Sequence, residues 1–295
     1  MRLFGVASAC ASATLVNAIA TGRGAAFGLE LRVSSMVELN PKFKGIRGKI
    51  RGSRESPRLV EICVKKVLQR FGRDDLGARI QTTASIPIAV GLSSSSAAAN
   101  ATVLATTAAL GERVKPTEAL NLGIDAAFEA GVTVTGALDD AAASMLGRGV
   151  ATDNEKRRIL KRFTISKNLK VAILVPPSKI YTTTLARKNL SIIRESVEEA
   201  HRLVLSGDVW TAMTLNGLAY SFALKQDPTP TLEALRSGTL GAGLTGTGPA
   251  TVAVGDVDSI IKTVRFWKKR RGKIVLTTPA RMGAMVEEHL SLIHI

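Results

Sequence analysis

A chain of 295 residues with 45% hydrophobic content is long enough for two lobes, each with its own core. Its 40 Lys and Arg against 24 Asp and Glu leave a formal charge of +16, which points to an anionic partner, while only 4% aromatic residues argue against nucleic acid read by base stacking. Cys10 and Cys63 show no Cys-x-x-Cys spacing, and His201, His289 and His294 show no zinc-like spacing. No run approaches the roughly 20 apolar residues that span a bilayer, so a cytoplasmic protein off the membrane is expected.

The opening stretch from Met1 to Ala13 imitates a secretory signal, but Ser8 and Ser12 dilute it and Asn17 and Thr21-Gly-Arg-Gly24 follow without a break. Lys42, Lys44, Arg47, Lys49, Arg51, Arg54 and Arg58 form a basic stretch, either a solvated surface or the frame of an entrance for anionic ligands. Ile80, Thr82, Ala84 and Ile86 alternate, which predicts a half-buried strand over residues 78–86 that Pro87 ends. A glycine-serine turn follows, and the alanine-rich run from Ala97 to Leu110, closed by Gly111, reads as a buried helix. A second helix from about Thr117 is expected to bury Leu120, Ile124, Ala127 and Phe128 and to stop at Gly131. Asp139 and Asp140 open a small-residue helix that ends at Gly147.

The polar stretch from Thr152 to Arg158 is the best boundary, giving lobes over residues 1–155 and 156–290. Beyond it the pattern predicts a strand over 170–175, helices near 191–205, 208–224 and 231, a strand over 250–254, a helix over 256–271 and a strand over 273–277. Lys268 to Arg271 reads as a solvated last helical turn. Strands separated by helices in this order predict an α+β fold. The end, Leu290 to Ile295, lacks turn and cap signals, so residues 291–295 are expected to be a non-native tail.

Chemistry concentrates in Pro87-Ile-Ala-Val-Gly-Leu-Ser-Ser-Ser-Ser-Ala97. A helix N-terminus offers unpaired N–H groups and partial positive charge, and glycine with small serines lets a phosphate reach that backbone. One cap needs one serine, and four are present. The common Gly-x4-Gly-Lys-Ser/Thr loop is absent. Asp139 and Asp140 read either as an N-cap with a first-turn acid or as catalytic acids, and Thr245-Gly-Thr-Gly-Pro249 either as a tight turn or as part of the same site. A basic non-enzymatic binding protein, its serines merely capping a helix, is the competing class. A serine hydrolase is disfavoured by the absence of a Gly-x-Ser-x-Gly elbow.

The serine loop is similar to the Pro-x3-Gly-Leu-x-Ser-Ser motif of the GHMP kinases, the family of galactokinase and the homoserine, mevalonate and phosphomevalonate kinases. The segment from Ala13 to Gly28 resembles the archaeal branch whose members phosphorylate shikimate, and residues 245–249 resemble the third, glycine-rich motif. This resemblance implies a two-lobed α+β fold with the ATP site between the N-terminal and C-terminal lobes, and transfer of the γ-phosphate of ATP to a small anionic alcohol. The acceptor it implies is shikimate, on the route to chorismate and the aromatic amino acids; homoserine or a mevalonate-type alcohol is the nearest alternative. It places Pro87, Ile88, Ala89, Val90, Gly91, Leu92, Ser93, Ser94, Ser95, Ser96, Ala97, Gly246 and Gly248 on ATP, and Asn17, Thr21 and Arg23 on the substrate. Ser95 and Glu129 would hold Mg²⁺, and Asp140, or else Asp139, would be the catalytic acid. Glu129 precedes Asp140 by the family's eleven positions, and Asp140, Ser144 and Gly147 repeat its spacing. Ser93 stands where the resembled shikimate kinases usually carry Lys. A carboxylate-bearing acceptor calls for a cation, for which Arg23, Arg187 and Lys188 are candidates.

Overall fold

The computed structural model describes residues 3–53, 55–85, 90–177 and 187–287, without the side chains of residues 187–189. The first strand, β1 (Leu3–Val16), is buried on both faces over most of its length, so its residues are small and apolar throughout rather than alternating. It runs antiparallel to β2 (Arg23–Asn40), from Leu3 opposite Leu39 to Val16 opposite Ala25, with a bulge between Cys10 and Ala11. The far edge of β2 forks. Residues 33–40 pair with β4 (Gly77–Ala84), which carries β3 (Ile46–Ile50) in parallel, while residues 23–27 pair with β5 (Gly149–Asp153) and so lead to β6 (Arg158–Phe163).

From the first half of the chain, α1 (Arg58–Arg70), α2 (Ser94–Ala109) and α4 (Leu138–Leu146) pack on this first sheet, and α3 (Pro116–Ala130) packs on these helices. The alanines of α2 let it lie close against β1, and Gly5 takes the closest approach, where a Cβ would overlap the carbonyl oxygen of Ala105. Gly131 ends α3 in the left-handed conformation, φ 70°, as its sequence predicts. Phe128 departs from expectation: it is 45% exposed and lies under the Arg157 guanidinium, 6.0 Å from the ring centroid.

The second sheet has the order β10-β7-β9-β8, all antiparallel, from β7 (Lys170–Val175), β8 (Gly241–Leu244), β9 (Thr251–Gly255) and β10 (Lys273–Thr277). Its helices are α5 (Arg194–Ser206), α6 (Val209–Ala223), α7 (Thr229–Arg236) and α8 (Val257–Trp267), with Asp208 and Asp256 capping α6 and α8 through their side chains. The chain changes sheets between Phe163 and Lys170. The boundary expected at 155/156 falls inside the β5–β6 turn, because the polar residues of a hairpin tip have the composition of a linker. After β10 a strap returns to the first sheet, Ala280 N–H donating to Gly28 O at 2.9 Å, and β11 (Met285–Val286) pairs with Ala7 and Ser8 of β1. A continuous buried cluster takes Phe27 and Leu29 from the first sheet, Val171 and Ile173 from the second, and Val197, Met213 and Tyr220 from α5 and α6.

Arg270, expected in a solvated turn, is instead a brace. Its guanidinium meets Glu233 at 2.8 Å and Asp227 at 3.0 Å, tying the chain after α8 to α7. Residues 288–295, including the expected non-native tail, lie outside the described residues. Among those described, no helix is long and apolar enough to cross a membrane.

Gly5→Ala tests the β1–α2 contact. Strand propensity alone favours alanine, whereas the clash with α2 is expected to cost about 1–3 kcal/mol, read as a lower urea midpoint at unchanged m-value. A midpoint at or above the parent's would contradict the packing.

Candidate active site

The end of β1, the start of α2, the loop before α4 and the glycine turn after β8 converge on a cleft of about 330 Å³. Its lining combines apolar side chains, among them Val33, Ile50, Leu59, Val60 and Ala84, with polar groups from Asn17, Ser93 to Ser96, Asp139, Asp140 and Thr247.

Two threonines weld the polar part together. Thr14 Oγ1 accepts from Gly246 N–H at 2.8 Å, while Thr245 Oγ1 accepts from Thr14 N–H at 3.1 Å and donates to Gly91 O at 2.9 Å. Ala250 N–H adds a bond to Val90 O at 3.2 Å. Gly91 has φ 88° and packs backbone to backbone with Thr245, so no side chain fits there. Asn17, 5% exposed, donates from Nδ2 to Gly246 O at 2.8 Å and accepts from Ile19 N–H at 2.9 Å. The turn after β1 is held from the second lobe, since Asn17 N–H donates to Asn216 Oδ1 and Tyr220 Oη bridges Ala20 N–H and Asn17 O.

Ser93 enters α2 in the left-handed conformation, φ 54°, and no side chain caps the helix, nor does an acid occupy its first turn. The first N–H groups of α2, which like those of any helix have no intrahelical acceptor, belong to residues that line the cleft, an arrangement suited to phosphate oxygens. Val90, Leu92 and Ala97 are all buried; Leu92 lines the cleft, whereas Val90 and Ala97 do not. Gly248, φ 79°, serves the glycine turn without lining the cleft. The expected ATP contacts at Pro87, Ile88 and Ala89 lie outside the described residues.

Asp139 and Asp140 stand in the first turn of α4, after Ala137 in the left-handed conformation, φ 47°. That residue, not an aspartate, occupies the N-cap position, which leaves both carboxylates available for other contacts. Asp139 is 4% exposed and accepts from Asn154 Nδ2 at 2.9 Å; a Cβ at Gly24 would lie 2.5 Å from its Oδ2. Burial and the charge of Asp140 push Asp139 up to about 7, against the pull of the Asn154 hydrogen bond. Asp140 accepts from Ser12 Oγ at 2.9 Å and from the Ser93 hydroxyl; burial raises it and those two hydroxyls oppose the rise. Adjacent buried carboxylates favour a state in which one of them keeps a proton.

Three expected site residues are elsewhere. Glu129 is 44% exposed on the outer side of α3, paired with Lys66 at 2.8 Å, and does not line the cleft: the eleven-residue spacing is present but the helix end turns the carboxylate away. Thr21 and Arg23 also stand outside it, the Thr21 hydroxyl being engaged with the Arg23 backbone in an exposed turn. Among the described residues no lysine or arginine lines the cleft. Local pattern assigns no site role to Ser12, Thr14, Asn154, Asn216 or Tyr220, whose roles come from contacts across the fold. Only the burial-compatible hydroxyls in β1, polar residues within an otherwise apolar run, could have singled out Ser12 and Thr14.

Residues 58–148, from α1 through α4 and so including the serine loop and both aspartates, match the family described as GHMP kinases N terminal domain. A shikimate kinase of Methanothrix thermoacetophila is 43% identical over 283 residues, 95% of this chain and 96% of the relative. Another, from Methanosarcina mazei, is 43% identical over 97% of each chain. Among solved structures, a homoserine kinase from Cytophaga hutchinsonii matches at TM-score 0.75 and 18% identity, over 97% of this chain and 98% of that one. The Methanococcus jannaschii mevalonate kinase matches at TM-score 0.72 and 15% identity, over 95% and 98% of the two chains. These two likenesses speak for the two-lobed fold alone.

The raised Asp139 carries a stability signature. Its folded value of about 7 exceeds its ordinary 3.8, so the folded state holds the proton longer, and stability without ligand falls as pH rises between those values. Asp139→Asn keeps an acceptor for Asn154 and removes the ionisation. It is expected to be more stable than the parent above about pH 7, on the order of 2 kcal/mol, with the gap closing on acidification. Thermal melts across pH measure this, and a gap independent of pH would contradict the burial of an ionising Asp139.

Proposed function

Because the chain belongs to the GHMP kinase family, with archaeal shikimate kinases as relatives along nearly its whole length, we propose that it transfers the γ-phosphate of ATP to shikimate, giving shikimate 3-phosphate and ADP. The observation that carries the choice of acceptor is the 43% identity over 95% of the chain to a protein named for shikimate. The site supports the reaction class independently: backbone donors for phosphate and a carboxylate of raised pKa share one cleft.

The N–H groups at the start of α2 and the hydroxyls of Ser94 to Ser96 receive the phosphates, their charge met by the helix terminus and by fixed dipoles rather than by a lysine. The apolar part of the lining takes the base. Asp140 orients the attacking hydroxyl and accepts its proton as the oxygen bonds to the γ-phosphorus and the bond from that phosphorus to the β–γ bridging oxygen breaks, releasing ADP. Ser12 and Ser93 hold the Asp140 carboxylate in place, and Asp139, held by Asn154, keeps the beginning of α4 against β2. The Ser95 hydroxyl on the cleft wall would hold Mg²⁺, which takes few protein ligands beside phosphates and water. When bound, the ion neutralises phosphate charge. Glu129 has no part in this donor set in the geometry found. Arg187 and Lys188, candidates for the acceptor's carboxylate, have side chains outside the description.

Mg²⁺-dependent ADP release with shikimate, homoserine and mevalonate in parallel tests the acceptor. Turnover with shikimate is expected, with kcat/KM for the other two at least about 100-fold lower; preference for either would overturn the assignment. Asp140→Asn is expected to lower kcat by about 10²–10⁴ while leaving ATP binding within about twofold. Normal turnover in that variant would remove Asp140 from the chemistry.

A further inference from the structure

At the opposite end of α4 from the aspartates, the described residues enclose a second cavity of about 240 Å³. Its walls come from separate parts of the chain: Gly28 of β2, Gly147 and Arg148 where α4 gives way to β5, Thr164 and Lys167 on the crossing between the sheets, and Arg281 on the returning strap. The volume far exceeds the roughly 10–15 Å³ that admits one water. Three cations thus arrive from three segments, and among the described residues none of them has an ion pair or a side-chain hydrogen bond. Two features oppose an anion here. The Glu30 carboxylate accepts from Arg281 N–H at 2.9 Å, and the C-terminal end of α4 carries about half a negative charge. Three full positive charges exceed both.

We propose that this seam cavity binds a small polyanion of about pyrophosphate size, bearing phosphate or carboxylate groups, which bridges the first lobe, the crossing segment and the strap. It is separate from the cleft and draws on none of its residues. Arg148 and Arg281 present forked donors and Lys167 a point charge, a set suited to several anionic oxygens at once.

Calorimetric titration with sodium pyrophosphate at constant ionic strength, comparing the parent with R148Q/K167Q/R281Q, tests this. One fewer saturable site in the variant than in the parent is expected, whether or not the serine loop also takes pyrophosphate, so the outcome does not depend on the kinase reading. Tricarballylate titrated in parallel separates a phosphate-specific site from one that takes any polyanion. The three side chains are exposed, and Lys167→Gln alone, on the crossing segment, is expected to weaken the seam site by about fivefold to tenfold should the triple variant fail to fold. Equal stoichiometry and affinity in parent and variants would overturn the proposal.

Discussion

A Cβ on Gly91 would overlap the Thr245 carbonyl oxygen, and one on Gly246 would lie 2.9 Å from Gly91 Cα. Two turns from opposite halves of the chain therefore touch through backbone alone, and the threonine hydroxyls of Thr14 and Thr245 close the contact. Because Gly91 is three residues ahead of α2, fixing it also fixes where that helix begins and where its N–H groups point. Removing side chains from the contact costs conformational entropy in the unfolded chain. What it gains is a rigid wall against which a phosphate can lie without the protein reorganising.

The same seam sets the acids. β1 runs from the strap at Ala7 to the glycine turn at Thr14, and between them Ser12 reaches the Asp140 carboxylate. Left-handed, non-glycine residues precede both functional helices, Ser93 before α2 and Ala137 before α4. Conformations of this kind cost about 1–3 kcal/mol each and persist where surrounding contacts over-determine them. Here each lets a first turn, of serines in one case and aspartates in the other, open directly into the cleft. The formal charge of +16, which pointed to an anionic ligand, is not met on the described cleft walls; cations gather instead at the seam cavity.

Local pattern and cap chemistry made several elements legible. The strand ending near Ala84, the capped α3, the strand over Lys170–Val175 and the Asp-capped α6 and α8 all follow from local pattern and chemistry. The β1–β2 pair did not, because a strand buried on both faces loses its alternation and its small apolar residues look like a signal segment. Serine and glycine density singled out the loop before α2, and motif spacing singled out Asp140; both line the same cleft. Spacing failed for Glu129, since eleven residues of separation say nothing about which way a helix end faces. The partners of Ser12 and Asn154 were hidden for a related reason: they are 128 and 15 residues away, and only the fold brings them together.

If the glycine-to-glycine contact organises the phosphate site, then filling it should disable nucleotide binding before it unfolds the protein. Gly91→Ala, titrated calorimetrically with Mg²⁺·ATP beside a melting curve, tests this directly. The account predicts a Kd for ATP at least about tenfold weaker in a protein that still melts cooperatively. An unchanged Kd would contradict it.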